Sequence, residues 1–253
     1  MDIDDTFLKR YISYLCIRIK NRQNPSLHSL FNRKEDHVYQ DEDNSKAMYM
    51  LYEAHEFQRF RHLQARYLGI ITRLSMFIEM RDLFAAGHTV RISRYAVAVA
   101  KALGWRREKI EEFEIGAHLH DIGKLCVTES VLNKAGRLTL QEIRQVRRHT
   151  QTGASLLMRI DFLRPVIPYV LYHHERYDGN GYPFRMSGRA IPVEGRIMAM
   201  IDAFDAMINP RPYRKAMPAD SAIEELNKQK GRQLDPDVVD IFIEVLNKGV
   251  ATA

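Results

Sequence analysis

The sequence predicts an all-α protein, and three observations carry that prediction. Apolar residues recur at three-and-four spacing along several segments. Helix caps stand at the ends of such segments. No alternating β-like runs flank the Asn180-Gly181 pair, the dipeptide that would otherwise signal a hairpin. With 253 residues, 45% hydrophobic and 28% charged, the chain can bury a real core in one large domain, or in one domain with an appendage. That balance excludes a disordered chain and a membrane bundle.

Along the chain, residues 1–65 are expected to form a small helical region of unknown role, interrupted over residues 21–46 by a linker containing Asn24-Pro25-Ser26 and the charge-dense run from Arg33 to Asp43. From Phe60 the pattern turns regular: Phe60, Leu63, Tyr67, Ile70, Leu74 and Phe77 share one helical face. This 60–77 stripe is about two and a half heptads, short of the three or four that define a coiled coil. It therefore either docks the helix on its own domain or pairs two copies of the chain as a homodimer. Gly104 after Leu103 reads as a helix stop. Thr139-Leu140-Gln141-Glu142 reads as a capping box ahead of Ile143 and Val146, and Asp235-Pro236 as an N-cap followed by proline at the first helical position. The second domain is placed at residues 66–250.

Charge and cysteine usage narrow the function classes. The net charge is +6, and the first 70 residues hold 11 basic and 10 acidic side chains, so five of the six excess positive charges lie beyond them. A basic balance favours an anionic partner, but no interleaved aromatic and basic platform argues for nucleic acid. Cys16 and Cys126 lack CxxC spacing, which excludes a thiolate zinc site and a disulfide framework and fits a cytoplasmic protein. The acidic start, Asp2, Asp4 and Asp5, and the lack of any run of about 18 apolar residues predict neither export nor a membrane span.

The chemistry gathers in three places. Ile110, Phe113, Ala117 and His120 succeed one another at spacings of three, four and three, which puts His120 on a core face with Asp121 next to it and Gly123-Lys124 beyond. An imidazole and a carboxylate presented by one short segment suit a hard or borderline divalent ion. His118 lies about 200° around the same helix and is left out as a packing or surface residue. The second place is His173-His174-Glu175, closing an apolar helical stretch through Val166, Ile167 and Val170. The loop after it, Arg176 to Pro183, holds two glycines that permit positive φ and should make a tight turn whose amides can face a phosphate. The third is Asp202 among Ile197, Met198, Met200, Ile201 and Phe204, a carboxylate costly to bury unless paired or coordinating.

With these motifs the chain resembles the HD-GYP phosphodiesterases, a branch of the HD metal-dependent phosphohydrolase superfamily. The match runs from about Gly87 to Leu246. Its most specific parts are His120-Asp121-Ile122-Gly123-Lys124 and His173-His174-Glu175 through Gly181-Tyr182-Pro183. Gly87-His88-Thr89, His149-Thr150, Asp202-Ala203-Phe204-Asp205-Ala206 and Arg211-Pro212-Tyr213-Arg214-Lys215 match as well. The resemblance implies an HD-domain helical bundle extended by the GYP loop and C-terminal helices. It implies a metal set of His88, His120, Asp121, His149, His173, His174 and Asp202, with Asp121 bridging two ions. One ion would be further held by His88, His120 and Asp202, the other by His149, His173 and His174. Members with a third ion use a glutamate four residues before the first histidine, where this chain has Phe84, so two metals are expected. Iron or manganese is favoured, with zinc compatible with the same oxygen and imidazole ligands.

The implied activity is hydrolysis of cyclic di-GMP to linear pGpG and onward to GMP, with Asp121 and Lys124 as catalytic residues. Lys124 would balance charge on the phosphate. Arg211 and Arg214 would stack on guanine or pair with phosphate, and Tyr182 either lines the substrate pocket or braces its loop. A second reading is a catalytically weak or inactive cyclic-dinucleotide-binding effector acting through contacts with a signalling protein. A third, a nucleotide phosphohydrolase of the wider superfamily, is disfavoured by the Gly-Tyr-Pro motif. His28, His37, His55 and His62 lack ligand-like spacing.

Overall fold

Ten α-helices run through the residues described in this computed structural model, 42–82, 87–210 and 215–250. They are α1 Glu42–Arg81, α2 His88–Ala102, α3 Arg107–Leu119, α4 Glu129–Leu132, α5 Leu140–Arg147, α6 His149–Met158, α7 Ile167–Leu171, α8 Val193–Ile208, α9 Ala219–Gln229 and α10 Pro236–Val245. Among the described residues, β pairing amounts to two isolated bridges, Asp178 with Ser187 and Lys230 with Leu234. The all-α expectation holds. Packing divides the chain into Met1–Phe60 and Arg61–Ala253, and the second unit contains all seven residues of the expected metal set.

The expected caps are present. Thr139 accepts from the Glu142 amide while the Glu142 carboxylate accepts from the Thr139 amide at 2.7 Å, completing the capping box of α5. Asp235 accepts from the Asp237 amide ahead of Pro236 at the start of α10. Gly104 closes α2 in the left-handed region at φ 66°. Two expectations are corrected. The linker expected through residue 46 ends earlier, because α1 begins at Glu42. The stretch leading to His173 is not one helix: a 3-10 segment, Asp161–Val166, precedes the five-residue α7, since Pro165 and Pro168 deny amides to a longer α-helix.

The core sits where α2, α3, α7, α8 and α10 meet. Tyr95, Phe204 and Phe242 pack edge to face with centroids 5.0–5.6 Å apart, and Phe113 stacks on Tyr169 at 4.7 Å. The C-terminal end of α1 docks through Ser75 and Ile78, while the Arg81 guanidinium donates to the carbonyls of Leu125 and Val127. Of the apolar stripe, Phe60, Leu63 and Tyr67 lie outside the residues whose side chains are described. Ile70, Leu74 and Phe77 are 54, 40 and 52% exposed. These three residues of the stripe thus do not dock α1 on its own domain; the docked residues lie roughly a third of a turn around the helix.

Candidate active site

Five segments deliver the site. His88 opens α2 directly after Gly87, whose φ of 71° turns the chain into the helix. His120 caps α3, and Asp121 leads into the 3-10 turn Ile122–Cys126. His149 opens α6, His173 and His174 come just after α7, and Asp202 lies on α8. Gly123 serves packing more than turning: a side chain there would enter the carbonyl of His149 and come within 2.7 Å of the Gly153 amide. That close approach draws the 3-10 turn onto α6 and so sets Asp121 beside His149.

The imidazoles converge through one nitrogen each. Nδ1 of His120, His149 and His173 lies 2.8, 2.6 and 2.8 Å from the carbonyl oxygens of Ala117, Val146 and Val170, and Nδ1 of His88 lies 2.7 Å from Asp205. Each partner is an acceptor, which assigns the proton to Nδ1 and leaves the Nε2 lone pair free in the neutral ring. Those Nε2 atoms then face one another: His88 and His120 at 3.3 Å, His149 and His173 at 3.2 Å. Acceptors aimed at acceptors are satisfied by a proton or a cation between them, and the clustered ligand atoms could hold a metal ion. Asp121 stands in the middle, with Oδ2 3.3 Å from His120 and Oδ1 3.3 and 3.9 Å from His149 and His173. His88, His120 and Asp202 form one group with ligand atoms within 4.8 Å, His149, His173 and His174 a second, and His120, Asp121 and His173 a third between them. The structure brings together all seven residues of the expected metal set.

Burial and neighbouring charges shift these residues in different directions. Burial, then neighbouring imidazoles, hold His173 and His174 well below the usual histidine range, and burial lowers His149. Burial works against charge on His120 too, yet Asp121 beside it outweighs this and raises it. Burial would raise Asp121, but Lys124 and His120 hold it well below the carboxylate range. The Lys124 ammonium lies 2.7 Å from Asp121 Oδ2 and 3.6 Å from Asp82, and these carboxylates outweigh burial to keep it charged.

The GYP loop closes one side. Tyr182 stacks on His174 at 4.8 Å, with the Arg147 guanidinium 5.0 Å from the centroid of its ring. Tyr182 thus packs against one residue of the expected metal set. The expectation that loop amides face a phosphate is corrected for five of them: Tyr177 donates to the carbonyl of Gln233, Asp178 to that of Arg232, Gly179 to that of Arg176, Tyr182 to that of His174 and Asn180 to the Asp178 carboxylate, while just beyond the loop Phe184 and Met186 donate to the buried Glu175 carboxylate. Only Gly179 of the two loop glycines uses positive φ; Gly181 is needed because a side chain there would meet the Glu175 Cα at 2.5 Å.

Arg211, Arg214 and Phe84 lie outside the described residues. His118 belongs to no candidate metal group, nor do the exposed His55 and His62; His28 and His37 are outside the described residues. Sequence reasoning missed Asp205, Arg91, Glu175 and Arg147. Asp205 was within reach of the criterion that picks out Asp202, since it is the more deeply buried carboxylate of α8, 2% exposed in its side chain against 23%.

An all-helical core carrying clustered histidines and aspartates that can hold metal defines a class, and comparison with known proteins gives it a family. The chain matches the HD domain family over residues 73–238 and belongs to it, in the HD-GYP branch. It is 41% identical over 175 residues to the cyclic di-GMP phosphodiesterase response regulator RpfG of Xanthomonas campestris, covering 68% of this chain and 46% of that protein. It is 32% identical over 247 residues to a cyclic di-GMP phosphodiesterase of Thermotoga maritima, covering 95% and 65%. The chain thus spans less than two thirds of the length of these relatives. A crystal structure of a cyclic GMP-AMP specific phosphodiesterase of Vibrio cholerae shares the fold, with a TM-score of 0.55 at 17% identity over 72% of this chain and 49% of that one. Among the described residues, no helix is long and apolar enough to cross a membrane.

Proposed function

We propose that this domain is a metal-dependent phosphodiesterase that opens cyclic di-GMP to linear pGpG, with GMP as the further product, in the cytoplasm. The observation that carries the reading is the convergence of Nε2 lone pairs on both oxygens of Asp121. One ion would be held by His88, His120 and Asp202, a second by His149, His173 and His174, with Asp121 shared. Iron or manganese suits this set best, and zinc is compatible. Two such ions, when bound, lower the pKa of water and polarise a phosphodiester.

The chain's own groups supply the rest. Asp121 stays ionised and keeps the two histidine groups together. Lys124, kept charged, holds a positive charge at the site where a phosphate would gather negative charge. Burial raises the Tyr182 phenol, so it stays protonated and able to donate beside His174. Arg211 and Arg214 are proposed to meet guanine or phosphate by their place in the motif.

The test is chromatography of cyclic di-GMP incubated with protein reconstituted with iron, manganese or zinc. Linear product supports the reading. Saturable binding without product, at a full metal load, selects instead an effector working through a protein partner. The exposed Ile70, Leu74 and Phe77 support a homodimer through the 60–77 helix, and a monomeric mass in light scattering at micromolar concentration contradicts it.

A further inference from the structure

His88 is oriented differently from His120, His149 and His173. Theirs are backbone carbonyls three residues earlier in the chain; its partner is a carboxylate from another helix. Asp205 is 1% exposed, and every contact it makes is a commitment. Oδ2 lies 2.7 Å from His88 Nδ1 and accepts from Arg91 Nη2 at 3.1 Å; Oδ1 accepts from Arg91 Nε at 2.6 Å and from Asn209 Nδ2 at 3.0 Å. With both oxygens engaged, Asp205 is not itself placed to ligate. Arg91 lies one turn beyond His88 on α2, and Asp205 one turn beyond Asp202 on α8. One network therefore ties together the two helices that bring His88 and Asp202 to the same group. A carboxylate accepting from Nδ1 makes Nε2 a stronger donor to a metal than a carbonyl does.

We propose that Asp205, clamped by Arg91 and Asn209, is a positioning residue that strengthens metal binding selectively at the His88, His120 and Asp202 group and makes the two metal positions inequivalent. The proposal rests on the two-metal reading above.

Manganese titration of metal-free full-length protein, followed by calorimetry and by the paramagnetic resonance of free ion, tests it. Wild type should take two equivalents. Asp205→Asn should weaken one of them by about 10–100-fold, the range expected for losing such a partner, and leave the other unchanged. Paired variants assign the site. Adding Asp205→Asn to His149→Ala should weaken the remaining equivalent, whereas adding it to His88→Ala should change nothing. Equal affinities in wild type and Asp205→Asn overturn the proposal, as does equal weakening of both equivalents accompanied by a lower melting temperature of the metal-free protein, the mark of a merely structural role. If Asp205→Asn does not fold, Arg91→Lys, which removes the two-pronged clamp, should weaken the same equivalent less, and no shift there overturns the proposal. A wild type that takes fewer than two equivalents overturns the two-metal reading and this proposal with it.

Discussion

Helix α3 and the C-terminal half of α1 carry the same three-and-four apolar spacing and meet opposite fates. On α3, Phe113 and Ala117 are fully buried and the series runs on into His120 at the site. On α1, Ile70, Leu74 and Phe77 remain exposed, while Ser75 and Ile78 on another face make the contact with the domain. The α3 stripe is covered because α2 and the segment around Tyr169 present an apolar surface to it. Periodicity specifies a helix and a face; what lies opposite decides whether that face is buried.

The contrast can be broken by truncation. Phe113→Ala should cost about 3–5 kcal/mol of unfolding free energy, the usual range for emptying a buried phenylalanine site. Phe77→Ala should stay within about 0.5 kcal/mol for the monomer, as exposed positions do. Urea unfolding of both variants checks this, and similar losses would erase the distinction. Gly123→Ala comes next. Its side chain would collide with the His149 carbonyl, and overpacking of this kind costs about 1–3 kcal/mol; the variant should also bind less metal, because Asp121 and His149 are set by the same contact.

A smaller effect is expected from pH. Burial holds His149, His173 and His174 below their ordinary value, so on acidification the unfolded chain takes up protons before the folded one does. Their contribution is present above about pH 6.5 and is lost as pH falls below it. His120, shifted upward, contributes in the opposite sense and offsets part of this. Metal-free protein should therefore melt at lower temperature at pH 5.5 than at pH 7.5, roughly a unit to either side of the ordinary histidine value; an unchanged melting temperature contradicts the assigned burial. The smallest effect on the single chain belongs to Leu74→Asp, which should leave its stability nearly unchanged while reducing the mass seen by light scattering to that of a monomer.

Much of the fold and site was legible in the sequence, for local reasons. The capping box at Thr139, the Asp235-Pro236 start and the Gly104 stop are decided by neighbours within four residues. The candidate metal set was legible through resemblance to a family's motifs, since His120-Asp121 and His173-His174 stand together in the sequence. What escaped depends on partners distant in sequence. Asp205 acquires its role from His88 and Arg91, more than a hundred residues earlier. Glu175 acts on amides across a turn, and Arg147 meets Tyr182 only after α5 and the loop are folded together. Ile70, Leu74 and Phe77 share one face of α1, as their spacing says, but an exposed one, since nothing local says which face a neighbour will cover.

Asp121 is central to the proposed function, in which it would hold together a metal-dependent phosphodiesterase site. The most direct test of this compares wild type and Asp121→Ala, each assayed for bound metal and for cyclic di-GMP cleavage in the same preparation. Wild type should carry two equivalents of metal and yield linear product. Asp121→Ala should lose metal, with turnover reduced roughly a thousandfold or more, as the several kcal/mol supplied by bound ions implies. Equal turnover in the two proteins, or a wild type fully loaded with metal that yields no product, would contradict that role.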